Sequence, residues 1–353
     1  MVTGEAEQTR RALREQLSRY PALEERRGLV ESLGEEELRL LPRTALAVVT
    51  PDGLAQGTHR RLLADLGAYV IAYRFRTLTQ RDAERLYQDG LITRTSGRHI
   101  TAWWIKKNVF DLGEALVLLL RHPVDTSFQT TVTKSKGASD PLMARPGTYR
   151  ERYRTPNKTF ALMHSSDDMI SLLHEAAVLF DPTPPAELLG RPYWSEDLRA
   201  AVTGYRTTVE LRRMEQYRAL YRLKRRLLLE LAGVGAVPHG VVGQLCALYD
   251  QAGDVVEQNP GFAAETEAVD RLLAEEAALL RSLATCREPS TTEVDLAAAV
   301  ALTCLRTLTT RGTVTPEVFS QMTALLSRIG IGLNQLETTL LESYFFFSPK
   351  EPE

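Results

Sequence analysis

A change of pattern near residue 181 is the feature that most constrains how this chain folds. Between residues 44 and 180, short apolar runs alternate with stretches of helical spacing, whereas nearly every segment beyond Trp194 has a helical pattern alone. The run Asp181-Pro182-Thr183-Pro184-Pro185 lies between the two regions and interrupts regular structure. The sequence therefore predicts a domain of mixed helices and strands followed by an all-helical domain.

Four segments of the mixed region have the pattern of β-strands. The predicted strands are residues 45–49, 69–75 and 115–120, together with a segment that ends at His164. Helical patterns lie between them, around residues 59–66 and 80–87. This order is that of a ferredoxin-like sheet, for which we expect helices packed on one face. Pro51-Asp52-Gly53 directly follows the first run and predicts a turn.

The regions before and after the mixed region are helical in pattern. Residues 5–41 are rich in Glu, Arg and Leu and predict one or two amphipathic helices. Residues 193–347 predict an irregular bundle of about five or six helices. The expected helix caps are Ser195, Ser290 and Thr315, and the expected helix stop is Gly330. The predicted organisation is a helical arm (1–42), an α+β domain (43–190) and an all-α helical domain (191–353).

The overall composition excludes several classes of protein. A formal net charge of -2 over 353 residues argues against a surface built to bind nucleic acid. The three cysteines, Cys246, Cys286 and Cys304, have neither the spacing of a zinc site nor the density of a disulfide scaffold. The N-terminus lacks a secretory signal, and no apolar run approaches membrane-spanning length. We therefore expect a cytoplasmic protein that does not contact a membrane and for which nucleic acid is not the favoured partner, so that any polyanion site would be local.

Two features of the helical region are compatible with a binding partner. Basic residues within 212–226 are interleaved with Tyr217 and Tyr221, which favours a solvated helix face, with nucleic acid or an acidic partner as the alternative. The cluster Tyr344-Phe345-Phe346-Phe347 favours packing within the chain, with another subunit or a partner protein as the alternatives. A homo-oligomer and a protein partner of the helical domain thus both remain open.

Several short motifs in the mixed region occur in an ordered arrangement. They are Pro51-Asp52-Gly53, Ser139-Asp140-Pro141, Pro146-Gly147-Thr148-Tyr149-Arg150 and His164-Ser165-Ser166-Asp167. Glu175 follows His164 by eleven residues, and Tyr87 lies in the helical segment after the second strand. In order and rough spacing these motifs resemble those of the nucleoside diphosphate kinases, over residues 43–189.

The resemblance implies a fold and a chemistry. It implies a nucleoside diphosphate kinase-type domain of ferredoxin-like topology that moves the γ-phosphate of a nucleoside triphosphate to a diphosphate through a phosphohistidine at His164. The catalytic residues it implies are His164, Glu175 and Ser166. The nucleotide- and phosphate-binding residues it implies are Arg150, Ser139, Tyr87, Thr50 and Lys134. Magnesium is expected to arrive on the nucleotide phosphates rather than on protein ligands.

The residue types suit those roles independently of the resemblance. A histidine can act as a nucleophile and then as a leaving group, so His164 can hold a phosphoryl group. A carboxylate such as Glu175 can fix the histidine tautomer through a hydrogen bond. Arg150 offers a planar fork for phosphate oxygens, and Ser139 and Ser166 offer hydroxyl donors. Phosphoryl transfer needs mostly positioning and charge neutralisation, which such a set can supply.

Departures from the family leave two functions open. Thr50 stands where the family has a lysine and Ala161 where it has an asparagine, and the resemblance places both side chains near the sugar hydroxyls. Ser165 replaces a glycine, and Lys134 is the candidate for an absent second arginine. One function is a weak or redirected phosphotransferase. The alternative is a catalytically weak or inactive nucleotide sensor whose helical domain contacts a partner.

Overall fold

The computed structural model describes residues 2–18, 24–86, 108–192, 196–206, 216–258, 262–283, 293–310 and 314–347. The chain divides into two compact units, Met1–Met214 and Glu215–Glu353. The first unit extends past residue 190, where the sequence places a domain boundary. Among the described residues, no helix combines the length and the apolar character needed to cross a membrane.

A four-stranded antiparallel sheet forms the centre of the first unit. Its strands are β1 (Thr44–Val49), β2 (Tyr69–Arg76), β3 (Ala115–Arg121) and β4 (Met163–Ser165). They lie in the order β2-β3-β1-β4, and each neighbouring pair is antiparallel. This is the strand order expected of a ferredoxin-like sheet. The register places His164 of β4 opposite Val48 of β1.

Helices cover both faces of this sheet, so the expectation of one covered face is wrong. Leu46 and Val48 belong to one hydrophobic core, whereas Ala47 and Val49 belong to a second core on the opposite face. Every residue of β1 and β3 is buried. The continuous apolar runs of these strands, without polar alternation, are the sequence signature of a sheet that is buried on both sides.

The helices of the first unit divide between these two cores. The first core is covered by α1 (Val2–Leu17), α2 (Glu24–Glu31), α3 (Glu35–Leu40), α6 (Gln80–Leu86), α9 (Met169–Leu179) and α10 (Pro185–Leu189). The second is covered by α4 (Pro51–Ala55), α5 (Thr58–Asp65), α7 (Phe128–Lys136), α8 (Tyr149–Arg152) and α11 (Glu196–Gly204). The described residues between 5 and 41 therefore contribute to three helices rather than one or two, and extended Gly34 is the N-cap of the separate α3.

Pro51-Asp52-Gly53 is a helix start rather than the turn that the sequence suggested. Thr50 has the extended backbone of an N-cap residue, and Pro51 occupies the first turn of α4. Proline is favoured there because the first helical N–H groups have no intrahelical acceptor. The chain thus leaves β1 directly into a helix.

The second unit contains six helices within its described residues. They are α12 (Gln216–Gly233), α13 (His239–Gln258), α14 (Phe262–Ser282), α15 (Glu293–Thr309), α16 (Pro316–Arg328) and α17 (Gln335–Phe347). Thr315 caps α16 as expected, since its side chain accepts a hydrogen bond from the Val318 amide. Gly330 has a φ of 79°, as expected of a glycine that ends a helix. Ser195 and Ser290 lie outside the described residues.

A cluster of buried polar side chains connects three helices of the second unit. Lys224 of α12 and Glu276 of α14 form an ion pair at 2.5 Å, with both side chains almost fully buried. Tyr249 of α13 donates to the other Glu276 oxygen at 2.7 Å. Tyr344 and Phe345 are buried within this unit, in agreement with the expectation that the C-terminal aromatic cluster packs within the chain.

Candidate functional site

Strand β4 and helix α9 bring His164 and Glu175 together. Asp168 caps α9, because its side chain accepts from the Ser171 amide at 2.8 Å, and the helix then runs back past the end of β4. The His164 Nε2 and Glu175 Oε2 atoms are 2.9 Å apart. Ser166 Oγ donates to the same Glu175 oxygen at 2.7 Å. The side chains of His164 and Ser166 therefore both contact the carboxylate of Glu175, the third predicted catalytic residue.

Burial separates the roles of these groups. The Glu175 side chain is only 6% exposed, whereas that of His164 is 22% exposed. A buried carboxylate must be hydrogen-bonded to remain charged, and here the imidazole and the Ser166 hydroxyl both contact it. The arrangement can hold an imidazole in one orientation while one part of the ring stays accessible to a ligand.

The loop before His164 is locked to the start of α4. The Leu162 amide donates to Asp52 Oδ2 at 2.9 Å, and the Leu162 carbonyl accepts from the Thr50 amide at 3.0 Å. Leu162 itself has a φ of 62°, which is uncommon for a residue with a side chain. Burial raises the pKa of Asp52. A Cβ at Gly53 would overlap the Leu162 carbonyl, so glycine is required at this close approach.

The Arg150 side chain hydrogen-bonds to the backbone segments that form the walls of the site. Its Nε, Nη1 and Nη2 atoms donate to the carbonyls of Ala161, Gly137 and Met163 at 3.0, 2.8 and 2.9 Å. Arg150 is only 7% exposed. The expected phosphate-binding fork is therefore directed largely at the backbone, because three carbonyls from two loops converge on the guanidinium.

A cleft opens beside His164. It is lined by Thr50, Val109, Phe110, Ser139, Arg150, Lys158, Thr159, Ala161, Met163 and His164. The structure thus brings Thr50 and Ala161 to the same cleft as His164, as the interpretation of a shared subsite requires. The cleft volume of about 50 Å³ is well below that of sites enclosing a whole small molecule.

The lysines of α7 differ in position. Lys134 is exposed and is absent from the cleft, whereas Lys136 is 7% exposed and donates to the Ser165 carbonyl at 3.3 Å. Two residues along a helix correspond to a rotation of about 200°, so only one of the two can face the site. Burial, followed by the charge of Arg150, lowers the pKa of Lys136 to about 8.

Sequence reasoning missed two polar residues of the cleft, Lys158 and Thr159. They lie in the segment between the Pro-Gly-Thr motif and His164. The expected active-site tyrosine, Tyr87, lies outside the described residues.

The described residues do not assemble a protein metal site. Within them, no group of three or more His, Cys, Asp or Glu side chains could hold a metal ion. Magnesium usually keeps several waters and binds through substrate phosphates.

Comparisons with known proteins point to one family of solved structures. No protein-family model matches the chain, and neither does any curated protein. Similar structures include a nucleoside diphosphate kinase from Halobacterium salinarum in complex with CDP, with 20% identity and a TM-score of 0.35 over 45% of this chain and 97% of that chain. The enzyme from Borrelia burgdorferi with vanadate and ADP has 17% identity and a TM-score of 0.34, over 45% of this chain and 95% of that chain.

A nucleoside diphosphate kinase family protein from Babesia bovis is similar at 19% identity and a TM-score of 0.33, over 40% of this chain and 89% of that chain. These three structures are of two nucleoside diphosphate kinases and a protein of that family.

Proposed function

We propose that this protein is a nucleotide phosphotransferase that moves the γ-phosphate of a nucleoside triphosphate to an acceptor through a phosphohistidine at His164. The observation that carries the proposal is the contact of His164 and Ser166 with one oxygen of the buried Glu175 carboxylate. A satisfied structural histidine would not need to line a cleft, whereas His164 does so together with Ser139 and Lys158. The acceptor that best fits the proposal is a nucleoside diphosphate.

The chemistry follows from the orientation of the imidazole. With Nε2–H as the donor to the Glu175 carboxylate, a neutral ring would carry its lone pair on Nδ1. Nδ1 attacks the γ-phosphorus, a P–N bond forms, and the P–O bond to the β-phosphate breaks as the diphosphate leaves with its electron pair. An oxygen of the acceptor then attacks phosphorus, and the electron pair of the P–N bond returns to Nδ1. Glu175 stabilises the positive charge that the ring carries in between.

The nucleotide itself supplies part of the charge neutralisation. Magnesium bound to its phosphates would offset the negative charge that gathers at the β- and γ-oxygens. On the protein side, Lys136 lies beneath Ser165 and contributes positive charge close to Glu175 and Asp167. The protein therefore has to position the ring and the terminal phosphate, and the ring is already held.

The second candidate is a nucleotide sensor that binds without efficient turnover. Two observations favour it: Arg150 is engaged by three backbone carbonyls, and Thr50 and Ala161 present short side chains to the cleft. The six-helix second unit would then contact a partner protein. Homo-oligomerisation fits either candidate.

Steady-state turnover separates the two candidates. The full chain is incubated with magnesium, ATP and each of several nucleoside diphosphates, and triphosphate formation is followed by chromatography. The phosphotransferase predicts repeated turnover that is lost in His164→Asn. Saturable ATP binding without turnover, for every acceptor tried, would favour the sensor instead.

A further inference from the structure

Lys158 and Thr159 are polar residues of the cleft to which the function proposed above assigns no chemical role. Both lie in the loop between α8 and β4, and both line the cleft beside His164. Lys158 has a half-exposed side chain, whereas Thr159 is only 4% exposed. A cation at the mouth and a hydroxyl deeper in the wall are the groups that would meet an anion entering the cleft.

The Thr159 hydroxyl lacks a partner within the described residues. Its Oγ1 is buried, and no hydrogen bond satisfies it there. An unsatisfied buried hydroxyl costs on the order of 1–3 kcal/mol, so proteins rarely retain one unless a ligand or water completes it. Thr159 lines the cleft while its Oγ1 is shielded from solvent, so the hydroxyl would have to turn towards the cleft to meet a ligand oxygen there.

The Lys158 ammonium is held at the cleft by a carboxylate. Its Nζ lies 3.1 Å from Asp140 Oδ2. Asp140 is fixed in turn, because its other oxygen accepts from the Leu142 amide at 3.0 Å. An ammonium has three donors, so one carboxylate contact is compatible with donation to a second anion.

Arg150, the other arginine or lysine that lines the cleft, is used differently. Its three nitrogen atoms contact backbone carbonyls in the wall. Moving the guanidinium onto a ligand would break those contacts. The half-exposed Lys158 side chain has a flexible four-carbon chain, so its ammonium group can turn towards a ligand without breaking contacts in the wall.

We propose that Lys158 and Thr159 bind a phosphate group of the nucleotide beside His164, with Arg150 serving to build the wall. This assignment rests on the proposed function for the identity of the ligand. Lys158 supplies the charge, Thr159 supplies a hydroxyl donor, and Asp140 sets the strength of binding by competing for the ammonium.

Binding of magnesium ADP and of pyrophosphate to the full chain tests the assignment by calorimetry. Lys158→Gln is expected to weaken both ligands about tenfold, which corresponds to about 1.4 kcal/mol. Thr159→Val is expected to weaken both severalfold, and Thr159→Ser to restore binding. Asp140→Asn keeps an acceptor for the Leu142 amide, and it is expected to tighten both ligands because a competing charge is removed.

Arg61→Gln is the matched control, because Arg61 is an exposed arginine of α5 that pairs with Asp65 outside the cleft. Unchanged affinity in Lys158→Gln, or an equal loss in Arg61→Gln, would overturn the assignment. Weakening of ADP without weakening of pyrophosphate would place Lys158 at the nucleoside and would also overturn it, as would undetectable binding of both ligands to the unaltered chain.

Labelling of His164 by γ-labelled ATP, measured on the same proteins, keeps the two proposals separate. If His164 is labelled but Lys158→Gln leaves the affinities for ADP and pyrophosphate unchanged, only the proposed phosphate contacts are refuted. An unlabelled chain whose affinity depends on Lys158 and Thr159 supports these contacts and refutes the phosphotransferase.

Discussion

Gly53 lies directly against the carbonyl oxygen of Leu162, so that a β-carbon at residue 53 would overlap that oxygen. The contact joins the start of α4 to the loop that leads into His164, and Asp52 and Thr50 hydrogen-bond to the same residue. The Pro-Asp-Gly motif is thus a support for the histidine strand.

Gly53→Ala should therefore damage both stability and the site. The backbone of residues 50–53 or of Leu162 must move to admit the methyl group, and displaced backbone hydrogen bonds typically cost on the order of 1–3 kcal/mol. Thermal unfolding and His164 labelling measure the two effects. Gly28→Ala in α2, where a β-carbon meets open space, is the control and should be neutral or slightly stabilising. Equal melting temperatures for the two variants would contradict the account.

Arg150→Met should lower the stability of the first unit by about 3 kcal/mol or more, because it leaves three carbonyls without their donor. Arg150→Lys should recover only part of the loss, since one ammonium cannot reproduce the planar fork. Arg152→Met, at an exposed arginine paired with Asp65, is the comparison and should change stability little. An Arg150→Met protein of normal stability with weakened nucleotide binding would instead restore the phosphate-fork interpretation.

His59 should make the first unit sensitive to acid. It is fully buried in α5, and burial, followed by the charge of Arg60, lowers its pKa to about 4 from 6.5. The unfolded chain then takes up a proton before the folded chain does, so the contribution to stability is present above pH 6.5 and is lost as the pH falls towards 4.

His59→Leu should flatten the fall in unfolding free energy between pH 6.5 and 4.5, as measured by denaturant titration. His239→Gln, at an exposed histidine of the second unit, controls for the loss of one histidine. Identical pH profiles for His59→Leu and the unaltered chain would show that folding does not lower the pKa of His59.

Sugar discrimination should be weak. Thr50 and Ala161 line the cleft with short side chains, so neither can reach a ribose hydroxyl as a long amine or amide would. We expect 3'-deoxy-ATP to label His164 within about tenfold of the rate for ATP, since one lost neutral hydrogen bond is worth about 1 kcal/mol. If 3'-deoxy-ATP labelled His164 several orders of magnitude more slowly than ATP, other groups of the protein would have to bind the ribose 3'-hydroxyl.

Much of the sheet could be predicted because its strands are short apolar runs in a recognisable order. The same runs contained the signal that was misread: residues 45–49 and 115–120 lack polar alternation, which indicates burial on both faces. The pairing of His164 with Glu175 was implied by the resemblance to the nucleoside diphosphate kinases rather than by any local pattern, and the structure has the two side chains in contact.

The features that the sequence did not predict are contacts between distant segments. The three carbonyls that accept hydrogen bonds from Arg150 belong to residues 137, 161 and 163. No local sequence pattern predicts that these carbonyls lie close together. The choice between Lys134 and Lys136 depended on the rotational phase of a nine-residue helix, which spacing from a motif does not fix. Lys158 and Thr159 lie in an irregular loop, where periodicity carries no information.

Phosphate transfer to His164 tests the central claim most directly. The full chain is incubated with magnesium and γ-labelled ATP, and the labelled site is mapped by mass spectrometry. We expect an acid-labile, base-stable label on His164 that disappears in His164→Asn, persists in His239→Asn and forms more slowly in Glu175→Gln, where the carboxylate that orients the ring is lost. A chain that binds ATP but never acquires the label on His164, under any metal or nucleotide tried, would contradict the account.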